Sequence, residues 1–403
     1  MSKNKWVVLV GALLAQVTIA GLYAWSIFGT AIEEETGWSG DEILLTYSIA
    51  QFVFAFSTIF SGKLVDLKGP RFTITIGGLL YGGGMFLSSF ATSPLMLYLT
   101  FGVIVGTGVG FVYVCPIATL VKWFPKRKGM ITGLAVGIFG GGSIIFKEVF
   151  DWLIDASDVS TAFWQVGLLT AVIIIIGGQL TSNPPGWTKA EAKKGAGDFT
   201  TGEMVKTPTF YKTWIMYWLA VIPGLLVLGA AKNIGLDVAG LGDEAAATII
   251  SILAVANATS RLVSGSLSDK LGVLNVLKGV FVVTILALLS LSFLADNQAM
   301  FYLGVVGIAV GYGGFLALFP TFTNQQWGTY RYGSNYGIVY QAYGLAALSG
   351  IFIKAVVGSY TNTFIVSAIA ATIGLVIAFM IKDRPQPAPV EESPTDPDRV
   401  GVS

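Results

Sequence analysis

The chain carries one short sequence twice, half its length apart. Gly62-Lys63-Leu64-Val65-Asp66-Leu67-Lys68-Gly69 is matched by Gly265-Ser266-Leu267-Ser268-Asp269-Lys270-Leu271-Gly272, at an offset of 203 residues in a chain of 403. At an offset of 204, Gly110-Phe111, Pro116, Trp123 and Gly133 recur as Gly314-Phe315, Pro320, Trp327 and Gly337. Matches that keep one register mark an internal duplication. The fold must therefore be one that two like halves build together.

Each half is built for lipid. Apolar residues make up 54% of the chain and charged residues 12%, about half the charge of an average soluble domain. The apolar residues bunch into twelve stretches near the length of about 20 residues that a spanning helix needs. They run at 6–29, 43–65, 72–92, 95–121, 129–153, 161–182, 213–234, 244–267, 274–294, 298–322, 334–357 and 361–382. The 50 glycines suit close helix packing in a bilayer. This predicts an all-α membrane protein, with six spans in 1–182 and six in 213–383. The stretch 183–212 opens with Asn183-Pro184-Pro185 and is rich in Lys, Glu and Gly, so it reads as a linker with a short helix near Thr201 to Val205. The Pro-rich, polar end, 384–403, is expected to be disordered.

The first span is too long for a secretory leader and precedes no polar mature domain. Of the 24 basic residues, 20 fall before span one, after the even spans, in 183–212 or at the C-terminal end. The opposite turns carry Glu33 to Glu35, Asp151, Asp155, Asp158, Asp243 and Glu244. The positive-inside rule then places both termini and the linker in the cytoplasm, in a multi-pass protein of the cytoplasmic membrane. A net charge of +1 offers nothing to nucleic acid. The chain has no histidine and one cysteine, Cys115, within an apolar span. No metal site, triad or cofactor motif emerges, and no enzyme is expected. Gly106-Thr107-Gly108-Val109-Gly110 lies within a span and follows no strand, so it is no nucleotide loop.

The twin motif Gly-x-x-x-Asp-x-x-Gly ends spans two and eight. Gly62, Gly69, Gly265 and Gly272 suit tight turns and close approach. Asp66 and Asp269 are placed to cap the next helix or to pair with a cation of the other half. The motif, continued by Pro70-Arg71, resembles the signature loop of the major facilitator superfamily. Three further motifs resemble the oxalate/formate antiporter family within it, a neighbour of the monocarboxylate transporters. They are Tyr23-Ala24-Trp25-Ser26, then Lys122-Trp123-Phe124-Pro125-x-x-Lys128-Gly129, then Met204-x-x-Thr207-Pro208-x-Phe210. The resemblance implies two pseudo-symmetric six-helix bundles about a central cavity. It implies alternating access, with Asp66, Arg71 and Asp269 in a cytoplasmic gate. It leaves carrier, channel and sensor open, and needs no second copy of the chain.

Four basic residues escape the charge rule. Lys147, Lys232 and Lys354 lie toward the outer ends of their spans, where a lysine snorkels to the interface. Arg261 lies eight residues before Asp269, about 12 Å inside span eight. Burying it costs about 2.5–3.5 kcal/mol even on a lenient scale, and no Asp or Glu lies at its depth. Unless it snorkels to the inner surface, the missing anion is the substrate. Its counterpart at an offset of 203 is Thr58, so the cation belongs to one half only. Asn257 stands one turn outward on the same helix face, and the two make a carboxylate cradle. Tyr23, Tyr113, Tyr312, Tyr340 and Tyr343 are hydroxyls placed to complete it, and Tyr336 lies nearer the turn.

By resemblance, an Asn and Arg pair on span eight contacts substrate in bacterial monocarboxylate transporter homologues. Animal members carry Asp in place of Asn257, tied there to proton coupling. Tyr113 and Tyr312 match pocket aromatics of the oxalate exchanger, which has a Lys where Tyr343 stands here. One cation calls for one carboxylate. The expected substrate is a small monocarboxylate such as lactate, pyruvate or formate, moving with a proton or against a counter-anion. Oxalate is the alternative.

Overall fold

The computed structural model describes residues 4–185, 187, 194–195, 197–382 and 384. The tail expected to be disordered lies, from 385 onward, outside the described residues, as do the side chains of Lys147, Lys232 and Lys354. Twelve spans follow one another. Span one is a broken rod, Lys5–Thr18, a 3-10 segment Ile19–Ala24, and Trp25–Thr36. Spans two and three are Gly40–Lys68 and Pro70–Ser88. Span four, Pro94–Trp123, includes a π-helical stretch, Tyr98–Val105. Spans five and six are Lys128–Ala156 and Val159–Leu180. Span seven joins Pro208–Gly229 to Ala231–Ala239. Spans eight, nine and ten are Asp243–Leu271, Val273–Phe293 and Gln298–Trp327. Span eleven joins Tyr332–Val339 to Gln341–Val357, and span twelve is Tyr360–Phe379.

Among the described residues ten helices are long and apolar enough to cross a membrane; spans three and eleven complete the twelve. Their outer faces carry large apolar side chains such as Phe52, Phe56, Leu286, Leu303, Phe352 and Phe379. In water such a surface would be costly; in lipid it is the expected one. Odd spans start, and even spans end, on the face that carries Lys5, the linker and Arg384, which we call the basic face.

The linker is seated on that face. Thr200 and Glu203 form a capping box at the start of Thr201–Met204, and Lys194 Nζ reaches Glu203 at 2.6 Å. Hydrogen bonding from Lys194, with the cap donors, pushes the Glu203 carboxyl down to about 2. The Phe199 amide donates to Trp327 O, and Asn335 Nδ2 donates to Phe199 O. Arg384 donates to Gly197 O and to Gln326 O, with its guanidinium over the Phe199 ring. The linker is thereby tied to spans ten and eleven by hydrogen bonds to backbone carbonyls, and its fully buried Met204, with Phe199 and Val205, packs into the core.

Candidate functional site

The centre of the molecule is an aromatic chamber around one cation. Arg261 is 1% exposed. Its Nε donates to Asn257 Oδ1 at 3.2 Å, the contact expected of residues one turn apart. Its Nη1 donates across to Val136 O on span five at 2.6 Å. Span five makes room for this. A Cβ on Gly140 would lie 2.6 Å from Nη1 and 2.8 Å from Cζ, so only glycine admits the guanidinium here. Gly129 and Gly133 continue this face toward the basic end and let span eight approach closely. A guanidinium has five N–H groups, and the two bonds above use two of them. Among the described residues no carboxylate meets it.

The tyrosines gather on the open side of that charge. Tyr312 and Tyr343 bring their hydroxyls to 3.2 Å, with the hydroxyl of Tyr23 beside them. Tyr343 stacks on Tyr340 at a centroid distance of 4.9 Å, and Tyr340 meets Tyr113 at 5.1 Å. Tyr23, Tyr113 and Tyr312 all lie within the electrostatic reach of Arg261. All seven residues expected to bind substrate are thus in one chamber: Tyr23, Tyr113, Asn257, Arg261, Tyr312, Tyr340 and Tyr343. They come from spans one, four, eight, ten and eleven, and so from both halves.

Sequence reasoning missed several neighbours. Phe54 on span two and Phe139 on span five wall the chamber, against Tyr113 and Tyr340 and against Tyr23 and Tyr113. Tyr217 on span seven was missed as well; like Tyr336 on span eleven, which the sequence placed nearer the turn, it is fully buried, and among the described residues neither hydroxyl has a hydrogen-bond partner. Gln341 was missed because a lone amide in a span carries no signal. The repeat had the means to expose it. Offset by 204, Gly137 becomes Gln341, while Arg261 answers to Thr58. Each seam between the halves holds a long polar side chain at this depth, Arg261 from span eight and Gln341 from span eleven, both of the C-terminal half. Gln341 Nε2 donates to Ala55 O at 2.7 Å and lies 3.1 Å from Thr58 Oγ1.

The twin motifs meet the other half at the basic face. Asp66 accepts from the amides of Gly333 and Ser334, at 3.3 and 2.8 Å, and from Ser334 Oγ at 2.7 Å. Asp269 accepts from the amides of Gly129 and Met130, both at 2.8 Å. Adding 204 to 129 and 130 gives 333 and 334, so the two contacts are symmetry mates. Each carboxylate sits on the helix N-terminus of a span in the opposite half. The expectation of a cap on the next helix, or of a cation partner, is corrected. Four free N–H groups and the positive end of a helix dipole take the cation's place. Arg71, expected in the gate, stays within its own half and donates from Nε to Thr181 O. Gly69 and Gly272 have φ of +84° and +83°, so they end spans two and eight in the turn conformation that suits glycine. Gly62 and Gly265 serve the seams, where a Cβ would strike the Gly333 and Gly129 carbonyls.

All hydrogen bonds named here between the halves lie between the level of Arg261 and the basic face. The two bundles are closed against each other on that side, and the chamber stands at the head of the closed seams.

The sequence model of the Major Facilitator Superfamily matches residues 8–351. The chain is 26% identical to the oxalate:formate antiporter of Oxalobacter formigenes, over 94% of this chain and 92% of that one. It is 26% identical to monocarboxylate transporter 13 of Rattus norvegicus, over 90% and 85%. In three dimensions it resembles the proton:xylose symporter XylE with a TM-score of 0.74, at 12% identity and covering 94% of this chain and 95% of that one. A duplicated twelve-span bundle, twin Asp contacts across its seams and a family match over most of its length lead to one conclusion: the chain belongs to the Major Facilitator Superfamily and is a multi-pass membrane transporter.

Proposed function

We propose that this transporter moves a small monocarboxylate, of the lactate, pyruvate or formate type, by alternating access, together with one proton. The observation that carries the reading is Arg261: a buried cation with three N–H groups to spare, tyrosine hydroxyls around it and, among the described residues, no carboxylate beside it. Such a charge is costly alone and is balanced by a carboxylate accepting from its fork. Asn257 holds the guanidinium plane, and Tyr23, Tyr312 and Tyr343 supply hydroxyls on its open side. Two relatives named for oxalate:formate and monocarboxylate transport support a small organic acid. Tyr343 supports one carboxylate over two, because a second buried anion without a cation costs several kcal/mol.

In this reading the basic face is cytoplasmic, and the closed seams bar the site from that side. The anion cancels the Arg261 charge and competes with the Val136 carbonyl for it. That loosens the seam between spans five and eight, so the loaded carrier reorients more readily than the empty one. No carboxylic acid lies beside Arg261 among the described residues. The proton therefore travels with the substrate or along water, which makes uptake electroneutral. The two six-span bundles work as a pair within a single chain.

Oxalate–formate exchange is the second reading, favoured by the antiporter relative. Uptake of labelled lactate, pyruvate, formate and oxalate into proteoliposomes, with and without a pH gradient, separates the two. Monocarboxylate uptake driven by an inward proton gradient without a membrane potential is expected, with counterflow faster than net flux. Preference for oxalate, indifferent to pH, would favour exchange. Uptake that generates a potential would sink the one-proton coupling.

A further inference from the structure

A crevice of about 380 Å³ runs along the seam between spans two and eleven at the basic face. Ile59 and Ile338 line its deep end. Lys63, one turn below Ile59, and Arg331, at the start of span eleven, stand nearer the surface, with Ser334 and Thr201 beside them. Phe56 and Phe60 are exposed on the same side of span two as Ile59 and Lys63, and they continue the apolar wall. The crevice is therefore apolar inside the bilayer and cationic at headgroup level.

Neither cation is used by the fold. Among the described residues Lys63 makes no hydrogen bond or ion pair, and Arg331 lies only over the ring of its neighbour Tyr330, at 5.0 Å. We propose that this crevice binds an anionic phospholipid, with the headgroup phosphate between Lys63 and Arg331 and an acyl chain along Ile59, Ile338 and Phe60. A free phosphate or nucleotide satisfies the cations but has nothing for the apolar depth. An acyl chain with a charged head satisfies both.

Occupancy has a consequence for the cycle. Lys63 belongs to one half and Arg331 to the other, and Ser334 in the crevice wall donates twice to Asp66. Opening the basic face parts the two cations. An anion bound to both favours the closed state, in proportion to its preference for that state. The twin seam is unequal: offset by 203 and 204, Lys63 becomes Ser266 and Arg331 becomes Arg127. The paired cations belong to one seam, so lipid acts on the two seams differently.

The test uses the full chain, with phosphatidylglycerol and phosphatidylcholine as probes. Native mass spectrometry reads lipid binding, and labelling of a cysteine introduced at the basic face reads closure. Phosphatidylglycerol is expected to bind and to lower labelling, and phosphatidylcholine to do neither. Lys63→Gln with Arg331→Gln should weaken phosphatidylglycerol binding about thirtyfold, from about 1 kcal/mol per basic residue, and abolish its effect on labelling. The exchanged pair Lys63→Arg with Arg331→Lys keeps both charges and should keep both effects. Uptake by the neutral double variant in phosphatidylcholine should match that of the unaltered chain, which checks folding. Equal phosphatidylglycerol binding by the neutral double variant would overturn the proposal. So would displacement of the lipid by inorganic phosphate, which would make the site one for free anions. The binding and labelling readings do not depend on which acid is transported.

Discussion

Arg261 donates from Nη1 to the carbonyl oxygen of Val136 at 2.6 Å, across the seam between spans eight and five. The one buried cation of the chamber is thus held by the backbone of the opposite half. A neutral carbonyl satisfies one N–H but leaves the charge uncancelled. The same contact therefore closes the seam in the empty carrier and leaves the guanidinium ready for an anion.

Removing that charge should remove binding. Arg261→Ala is expected to weaken monocarboxylate binding by about 10- to 100-fold, the equivalent of about 1.5–3 kcal/mol for hydrogen bonds to a charged group. Arg261→Lys should retain part of the binding and lose most of the transport, since a point charge does not reproduce the fork. Equilibrium binding and proteoliposome uptake read the two effects separately. Uptake by the alanine variant at the unaltered rate would refute the role of Arg261.

The space beside Arg261 is as specific as its charge. A Cβ on Gly140 would lie 2.6 Å from Nη1, whereas one on Gly141 would meet nothing within 4 Å. Gly140→Ala should displace the guanidinium and reduce substrate affinity severalfold, to at least about the 1 kcal/mol level typical of core overpacking. Gly141→Ala should leave affinity unchanged. Equal affinities in the two variants would place the guanidinium elsewhere.

The twin carboxylates offer a symmetric experiment. Asp66→Asn and Asp269→Asn each remove a charge from a helix N-terminus, an interaction worth about 0.3–2 kcal/mol. Each should raise the population open at the basic face by about 2- to 30-fold, with little change in substrate affinity. The two sites share no partner, so their effects should add in the double variant. Accessibility of cysteines introduced at the basic face measures this, since native Cys115 is buried. Unchanged labelling in both variants would remove the latch from the cycle.

Tyr343 meets Tyr312 hydroxyl to hydroxyl and brings no charge of its own to the chamber. Tyr343→Lys should add a cation to the chamber and raise oxalate binding relative to lactate. One new charge-assisted contact predicts a gain of about tenfold or more. Competition of oxalate against labelled monocarboxylate reads the ratio directly, and an unmoved ratio would exclude Tyr343 from the substrate's second end.

The linker has its own pH signature. Lys194 and the cap donors hold the Glu203 carboxyl down to about 2, from an ordinary value of 4.5. A depressed carboxyl contributes order that is fully present above 4.5 and lost as pH falls through about 2. Hydrogen exchange at residues 200–205 should therefore be flat from neutral pH to about 5, after correction for intrinsic rates, and rise in protonation-linked opening below that. Glu203→Gln should abolish the acid-linked change. An equal acid response in that variant would assign it to another group.

Duplication, span count and the lone deep arginine are all legible in the sequence, because each follows from a property of one segment. A stretch of about 20 apolar residues spans a bilayer whatever packs beside it, a repeat keeps its offset, and a buried charge is costly in any apolar setting. The clustering of Tyr23, Tyr113, Tyr312, Tyr340 and Tyr343 also agrees with their expected depth. The partners were a different matter. Asp66 to Ser334, Arg261 to Val136 and Gln341 to Ala55 join residues 268, 125 and 286 positions apart. Helix periodicity says which face a residue occupies and how deep it lies, but not which span will stand opposite. Only the assembled bundles put helix N-termini, rather than cations, against the twin carboxylates. Close approach at glycine brought those ends within hydrogen-bond reach, and such approach depends on two backbones at once.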